Sequence, residues 1–246
     1  PYTCLEQQAS RAIGLHDDAG WAAIGNALPS YLDADGLAMY FPAAPETGTQ
    51  GSDRLTAYLL ATAHTAGWAW PAALQERMLQ GLAAFVEGRT VRRFPAPKAD
   101  LDVRKLAALE ALSRYGRVQP RMLGSLATSG ADVQRWPTAA LLDWLQLLQR
   151  VPTLPERDAR LAEARAQLRG RLVAGGTTLR FADEAGDAWW WLMDNADANA
   201  ARLLLASLDD PTWQDDRPRL LTGLLARLNA HRSGALATTT ANVWAR

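Results

Sequence analysis

The strongest constraint on the fold of this 246-residue chain is a helical period that runs through almost all of it. Apolar residues recur at i, i+3, i+4 and i+7, the spacing that places them on one face of an α-helix, and runs of β-branched residues are scarce. Such stripes include Leu55, Tyr58, Leu59 and Thr62; Leu106, Leu109, Ala111, Leu112 and Tyr115; Leu141, Leu142, Leu145 and Leu148; and Leu161, Ala164, Leu168 and Leu172. The period predicts eleven helical segments, at 4–16, 19–32, 52–67, 71–88, 101–115, 119–129, 136–150, 155–174, 194–208, 214–230 and from near 238.

The connections between these segments are short. Pro71, Pro120 and Pro155 each precede a periodic run, where proline fits the first turn of a helix. Many helices joined by short connections, with no alternation of helix and strand, predict an all-α fold. No linker is long or polar enough to mark a boundary, so we expect one domain over residues 1–246.

Two stretches break the helical period. Residues 33–51 are rich in Gly, Pro and Thr and predict a long loop. Residues 175–193 contain two β-prone segments, Thr177–Phe181 and Ala188–Leu192, around an acidic turn that contains glycine. This pattern predicts one small β-hairpin inserted among the helices.

Composition excludes several classes of function. Lys plus Arg and Asp plus Glu both number 26, and a net charge of zero argues against broad binding to nucleic acid or anionic membranes. A single cysteine excludes an internal disulfide framework, and no Cys/His cluster suggests zinc. No run approaches the ~18 apolar residues of a membrane span, and no signal peptide opens the chain, so any targeting segment is expected outside it.

The lone cysteine, Cys4, is followed at i+3 by Gln7, a spacing at which a helical turn brings two side chains together. A thiol held against a carboxamide can displace ammonia and leave an internal thioester. An amine or hydroxyl can then attack the Gln7 carbonyl, because a thiolate leaves readily. Judged by spacing alone, Cys-x-x-Gln is a weak signal, and a cysteine that is simply a small buried hydrophobe is the more common explanation.

Four segments carry a family resemblance. Pro1–Gln8 contains the core Cys-Leu-Glu-Gln, and Asp35–Phe41 has Asp-Gly followed by aromatic residues. Gly51–Leu60 contains Leu-Thr-Ala-Tyr, and Thr238–Trp244 reads Thr-Thr-Thr-Ala-Asn-Val-Trp. In this order and spread over the whole chain, they resemble the thioester motif and three other landmarks of bacterial alpha-2-macroglobulins, relatives of the complement components.

The resemblance implies a thioester-containing domain with Cys4 and Gln7 as the bond-forming pair. Its expected fold is an α/α toroid of about twelve helices in two layers. We therefore expect residues 1–246 to be a single domain excised from a larger multidomain protein, with its last helix truncated or completed differently.

The implied function is that of a protease inhibitor in bacterial defence. A lysine amine of an attacking protease would open the thioester and become covalently attached to Gln7, in a single turnover that makes the chain a trap rather than an enzyme. The expected partners are target proteases and neighbouring domains of the parent chain, with no nucleic acid, no cofactor, no metal and no direct membrane contact. The parent is expected in the periplasm, where it could be anchored to the inner membrane as a lipoprotein.

The chain departs from the family pattern at two positions, with Thr3 in place of the usual glycine and Arg54 where tryptophan is common. Neither change removes a reacting group. Some complement members use a histidine to redirect the acyl group towards hydroxyls, and the corresponding stretch here, Pro97–Val103, has none. The resemblance therefore favours lysine amines as the nucleophile.

Other interpretations stay open at this point. A thioester-free module of the same fold would only mediate domain packing. An α/α-barrel hydrolase acting on carbohydrate or lipid would need paired carboxylates, and the candidates are Asp33, Asp35, Asp100, Asp102 and Asp183.

A cysteine nucleophile could instead be activated by a histidine, for which the chain offers His16, His64 and His231. The run Trp189-Trp190-Trp191 is also unusual. It would either pack the hairpin onto the helices or form an exposed patch that docks on a neighbouring domain.

Overall fold

This computed structural model comprises two compact units, Pro1–Ala127 and Thr128–Arg246. The structure describes residues 4–43, 50–92, 101–126, 128, 130–187, 189–230, 236 and 238–245. Those residues form eleven α-helices, four short 3-10 helices and one two-stranded antiparallel sheet. The predicted all-α fold with a small β-hairpin is confirmed, and the expectation of a single domain stays a prediction.

Among its described residues, the first unit has helices and one isolated β-bridge, between Leu32 and Ala38. Its described α-helices are α1 (Leu5–Leu15), α2 (Asp18–Ala27), α3 (Asp53–Thr65), α4 (Ala72–Val86) and α5 (Leu101–Arg114). Two 3-10 helices, Leu28–Tyr31 and Pro120–Ser125, follow α2 and α5.

Helix α3 is the centre of the first unit. It packs against α1, α4 and α5, and every residue from Asp53 to Ala63 is buried. Its polar side chains therefore need partners inside the protein, since a buried charge without one is costly. Asp53 has such a partner in Arg104 of α5, which donates through both Nε, at 2.9 Å, and a terminal nitrogen.

The second unit contains the remaining helices and the sheet. Its described elements are α6 (Gly130–Arg135), α7 (Thr138–Arg150), α8 (Arg157–Gly170), β1 (Leu172–Gly175), β2 (Thr178–Phe181), α9 (Ala196–Leu208), α10 (Arg217–Ala230) and α11 (Thr239–Trp244), with 3-10 helices at Trp190–Leu192 and Pro211–Trp213.

Helix α7 has the central place in this unit. It packs against α8 and α9, and its residues are buried from Thr138 to Leu148. Its one carboxylate, Asp143, is paired with Arg202 of α9. The guanidinium of Arg202 also lies 5.4 Å from the ring centroid of Trp244, so the last helix joins the same buried cluster.

The hairpin is formed by β1 and β2, so it begins earlier in the chain than predicted. Leu172 pairs with Phe181 and Gly175 with Thr178, so the connection is the two-residue turn Gly176-Thr177. Gly176 has a φ of +60°, which such tight hairpin turns require and glycine adopts readily. The segment Ala188–Leu192, predicted as the second strand, instead includes a 3-10 helix.

Two predicted helices have different limits. The segment predicted at 19–32 leaves the α-helix at Ala27 and tightens into a 3-10 helix with Pro29 in its first turn. Proline lacks the amide hydrogen that an α-helix interior needs, which accounts for the change. The segment predicted at 119–129 is the 3-10 helix Pro120–Ser125, and a separate short helix, α6, follows it.

No helix in the described part of the chain is long and apolar enough to cross a membrane. Within the same residues, no group of three or more His, Cys, Asp or Glu side chains is placed to hold a metal ion.

Candidate functional site

Cys4 is the N-cap residue of α1. Its backbone is extended, with φ −84° and ψ 149°, while the helix begins at Leu5. The Sγ atom accepts a hydrogen bond from the backbone N–H of Gln7 at 3.5 Å, and the Cys4 carbonyl accepts one from Gln8 at 3.1 Å. Cysteine thus takes the role that Ser, Thr, Asp or Asn usually has at this position.

Gln7 stands at the third helical position, N3. An N-cap side chain that bonds the N3 amide is one half of a capping box, and in the other half a Glu or Gln at N3 reaches back to the N-cap residue. Cys4 and Gln7 therefore occupy the two positions of a capping box, with a thiol in place of the hydroxyl. A thioester between their side chains would close the same short loop with a covalent bond.

Leu5 fixes this turn more firmly than the cysteine cap does. Its side chain is fully buried, and its N–H donates to the carbonyl of Tyr40 at 2.8 Å. Burying a leucine contributes about 1.5–3 kcal/mol, whereas an oxygen N-cap contributes about 1 kcal/mol and sulfur is a weaker acceptor. Cys4 and Gln7 remain half-buried on either side of this anchor.

Tyr40 belongs to the loop that carries the Asp-Gly landmark. The Asp33 carboxylate organises its start by accepting from the amides of Leu37, at 2.9 Å, and Gly51, at 2.8 Å. Arg92 closes the arrangement by contacting Asp33 at 2.6 Å. The loop is therefore held at both ends, and its last residues reach the first turn of α1.

The same loop is tied to α3, the helix of the Leu-Thr-Ala-Tyr landmark. Thr56 Oγ1 accepts from the amide of Ala38 at 2.8 Å and donates to the carbonyl of Ser52 at 2.7 Å. The Ser52 amide in turn donates to the carbonyl of Ala38 at 2.8 Å. Three segments that are separate in the sequence thus meet in the first unit, at the start of α1.

The fourth landmark forms α11 in the second unit. Thr238 is its N-cap and accepts from the amide of Ala241 at 3.1 Å. Asn242 accepts from the amide of Leu236 at 2.8 Å and donates to its carbonyl at 2.9 Å. Beyond this local capping, Asn195 at the start of α9 donates to the hydroxyl oxygens of Thr238 and Thr240, at 3.1 and 3.3 Å.

Glu6 is the first of three buried side chains that are linked by hydrogen bonds. Its Oε1 accepts from Ser10 Oγ at 2.8 Å, and that hydroxyl lies 2.7 Å from the phenol of Tyr58 on α3. Burial raises the pKa of Tyr58 far above its ordinary value, so the phenol keeps its proton. Sequence reasoning missed Ser10, although its i+4 spacing from Glu6 is a detectable signal.

The surroundings of Cys4 favour the protonated thiol. Burial raises the pKa of Cys4 above its ordinary value, the hydrogen bond from the Gln7 amide partly offsets this, and the Glu6 carboxylate raises the pKa again. Burial likewise raises the pKa of Tyr40 to about 12, with Glu6 adding to the effect and Arg54 opposing it. The substituted position Arg54 is therefore a buried cation near Tyr40.

The acidic candidates have structural contacts. Asp33 and Asp35 both bind Arg92, at 2.6 and 2.5 Å. Asp183 caps a turn by accepting from the Gly186 amide at 2.9 Å. Asp102 lies in the first turn of α5, and Asp100 lies outside the described residues. The carboxylates of Asp33, Asp35 and Asp183 thus serve an ion pair or a turn in the part of the chain that the structure describes.

The histidine candidates do not form a pair with Cys4 where they are described. His16 is the C-cap of α1, so it stands about 18 Å along the helix axis from Cys4. His64 is exposed in the last turn of α3 and lies edge-on to Tyr115, at 5.2 Å between ring centroids. His231 lies outside the described residues.

The three consecutive tryptophans follow the hairpin rather than forming one of its strands, and their rings contact one another. Trp189 stacks on Trp191 at 5.7 Å between centroids, and Trp190 meets Trp191 edge-on at 5.8 Å. Trp191 is half-buried, whereas Trp190 is 75% exposed. The cluster is partly a packing element and partly an aromatic surface.

Comparison with known proteins gives matches among solved structures. No family model matches the chain, and no curated protein sequence matches it. A crystal structure of native alpha-2-macroglobulin from Escherichia coli, spanning domain MG7 to the C-terminus, superposes with a TM-score of 0.70 at 17% identity. It covers 99% of this chain, which spans 39% of that structure.

Two further structures give the same result. Escherichia coli alpha-2-macroglobulin activated by porcine elastase has a TM-score of 0.66 at 16% identity, over 100% of this chain and 22% of that one. Salmonella alpha-2-macroglobulin reacted with methylamine has a TM-score of 0.66 at 20% identity, over 100% of this chain and 16% of that one. At these identities the likeness concerns the fold: this chain folds like one segment of the much longer bacterial alpha-2-macroglobulins.

Proposed function

We propose that this chain is the thioester-containing domain of a bacterial alpha-2-macroglobulin-like protease inhibitor, and that Cys4 and Gln7 form its internal thioester. The observation that carries the proposal is their placement at the N-cap and N3 positions of α1, where the Gln7 backbone amide donates to the Cys4 sulfur and a single helical turn separates the two residues. The fold likeness supports it, because the matched Escherichia coli protein is described as activated by elastase and the Salmonella protein as reacted with methylamine.

The proposed bond forms in one acyl transfer. Cys4 Sγ attacks the side-chain carbonyl carbon of Gln7, the C–N bond of the carboxamide breaks, and ammonia leaves. In capture, a lysine amine attacks the same carbon, a C–N bond forms, the C–S bond breaks, and the amine proton passes to sulfur. The protease is then held through an amide on Gln7, and no step regenerates the thioester, so this is a single-use trap rather than an enzyme.

The raised pKa of Cys4 favours an irreversible outcome. The released sulfur would be a protonated thiol at neutral pH, since burial and the Glu6 carboxylate both disfavour the thiolate. A thiol is a poor nucleophile compared with its thiolate. It would therefore not attack the new amide, which is in any case a much weaker acyl donor than a thioester.

Amines are the proposed nucleophile. Within the described residues of the first unit the histidines are His16 and His64, which stand at the C-terminal ends of α1 and α3. Hydroxyl attack needs a nearby base, whereas an amine needs less assistance. We propose lysine side chains of the target protease as the groups captured.

The shield and the location of the parent belong to the same proposal. A half-buried thioester would hydrolyse unless covered, so neighbouring domains are proposed to cover Cys4 and Gln7 until a protease cleaves elsewhere in the parent. A periplasmic location follows from the proposed family alone.

Intact mass of the full-length protein tests this function. The thioester form should weigh one ammonia less than its sequence, and methylamine should add one equivalent at Gln7 while exposing one titratable thiol. Cys4→Ala and Gln7→Ala should both abolish methylamine incorporation and covalent protease adducts. Gln8→Ala, which alters the next glutamine on the same helix, is the matched control and should retain both.

Two outcomes would contradict the proposal. One is freshly prepared wild-type protein with the unmodified mass and a free Cys4 thiol. The other is a Cys4→Ala variant that fails to fold, which would instead favour a cysteine that serves the core of a thioester-free module.

A further inference from the structure

The basic residues of this chain are almost all arginines. Of the 26 Lys and Arg residues, only Lys98 and Lys105 are lysines. Lysine and arginine have nearly equal helix propensity, so an all-α fold does not demand this choice at exposed helix positions. They differ in chemistry: a guanidinium stays protonated, whereas lysine, with a pKa near 10.4, always presents a small fraction of nucleophilic free amine.

The lysine that the structure describes is withheld from solvent. Lys105 on α5 is only 7% exposed, and its Nζ donates to Ser125 Oγ at 2.8 Å. Lys98 lies outside the described residues. Among the residues that the structure describes, no lysine amine is therefore exposed on the surface.

Arg11 is the basic residue placed nearest along the helix to the proposed acyl group. It is exposed on α1, four residues after Gln7, a spacing that puts Cβ atoms about 5–6 Å apart on one face of a helix. It also borders a pocket of about 320 Å³, with Gln8, Ala12 and Asp17 among the other lining residues. A lysine at this position could reach the Gln7 carbonyl, whereas arginine supplies the same charge without a nucleophile.

We propose that Arg11 is a specificity-determining residue that keeps the surroundings of the Gln7 acyl group free of amines, so that the acyl group reacts only with an amine from another molecule. This inference rests on the proposed function. An amine tethered one turn away has an effective concentration in the millimolar range or above, far higher than that of a target protease. A chain with lysine here would discharge its own thioester before capture.

The test is Arg11→Lys in the full-length protein. The introduced amine should attack the Gln7 carbonyl carbon, forming a C–N bond as the C–S bond breaks and the proton moves to Cys4. The product has the same mass as the thioester form, one ammonia below the sequence, but shows one titratable thiol. Methylamine incorporation should fall by about tenfold or more, and peptide mapping should find a cross-link between positions 7 and 11.

Gly14→Lys is the matched control. It places an amine on the same helix but seven residues from Gln7, about 10 Å along the axis, and a Cβ atom at Gly14 would meet nothing within 4 Å. This variant should incorporate methylamine like the wild type. The Arg11→Lys cross-link should also form at the same rate at all protein concentrations, since it is intramolecular.

Three results would overturn the inference. The first is an Arg11→Lys variant with wild-type methylamine incorporation and no cross-link. The second is loss of incorporation through addition of water, which would mean that Arg11 only shields the bond. The third is wild-type protein that takes up no methylamine, a result that would overturn the proposed function as well.

Discussion

Glu6 lies between the two proposed reacting residues, and after burial it is the second group that raises the pKa of the Cys4 thiol. Its carboxylate is buried, accepts a hydrogen bond from Ser10 and raises the pKa of Cys4. A carboxylate at this place makes the released sulfur hold its proton more tightly. We therefore assign Glu6 an electrostatic role at the proposed site.

Glu6→Gln should lower the pKa of Cys4. The amide retains an oxygen that can accept from Ser10, so the charge is removed and the hydrogen bond can persist. The pKa should stay above that of an unfolded cysteine, because burial is the larger cause. The measurement is the pH profile of iodoacetamide alkylation after methylamine has released the thiol.

The raised pKa of Cys4 also determines how the stability of the protein changes with pH. Since folding raises the pKa of Cys4, the stability due to the buried thiol is complete below the pKa of the unfolded state and is lost as pH rises through the pKa of the folded state.

Glu87→Gln, at the end of α4, is the control for Glu6→Gln and should leave the pH profile of alkylation unchanged. A Glu6→Gln profile identical to wild type would show that the carboxylate does not act on the thiol.

The sequence allowed the reacting pair to be proposed but not its surroundings. Cys4 and Gln7 are three residues apart, so local helix geometry alone relates them. Tyr40 and Tyr58 meet this turn through tertiary contacts, the Tyr40 carbonyl with Leu5 and the Tyr58 phenol with Ser10. No periodicity within one segment encodes such contacts.

At the scale of elements, the loop from Asp33 to Tyr40 owes its shape to close backbone approach. A Cβ on Gly51 would clash with the carbonyl oxygen of Leu37, so the position tolerates only glycine without movement. The Gly51 amide and carbonyl also bond Asp33 and Arg92. A substitution here would disturb the segment that ends against α1.

Gly51→Ala should destabilise the protein by about 1–3 kcal/mol, the usual cost of forcing atoms into a packed site. Gly14→Ala, inside α1 with open space around it, should stabilise by about 0.5–1 kcal/mol, because alanine loses less backbone entropy. Urea denaturation of both variants measures these differences. Equal stability for the two variants would argue against the close approach at Gly51.

Helix prediction succeeded where the apolar stripe was long and failed where it ran past the end of the helix. Leu172 continues the i+4 spacing of Ala164 and Leu168, so the stripe extended α8 through residues that form β1. Only the pairing of Leu172 with Phe181 identifies the strand, and that pairing depends on the turn at Gly176. The spacing of apolar residues within one segment does not show that the segment pairs with the next one as a strand.

At the scale of the whole molecule, the balance of charges governs solubility. The chain has zero formal net charge and a pI near 7.4. Proteins associate most readily where their net charge vanishes. The isolated chain should therefore be least soluble near neutral pH.

Light scattering across pH 5 to 10 should show a maximum near pH 7.4 for the Cys4→Ala chain, which cannot form intermolecular disulfides. Arg121→Glu, at a side chain that is 73% exposed, removes one positive charge and adds one negative charge, which lowers the net charge by two units and should move the maximum to lower pH. A maximum that stays in place would point to apolar association instead.

The hydrogen bond from Leu5 to the Tyr40 carbonyl limits how Cys4 can become exposed. The side chain of Leu5 is fully buried, and its amide is hydrogen-bonded to the loop that ends at Tyr40, so the turn is conformationally restricted. Local fraying could not serve as the switch that exposes Cys4, because it would first have to extract a leucine from the core. If the proposed trap operates, its trigger must act on whatever covers this turn, and the thioester between Cys4 and Gln7 would become exposed without a change in its own conformation.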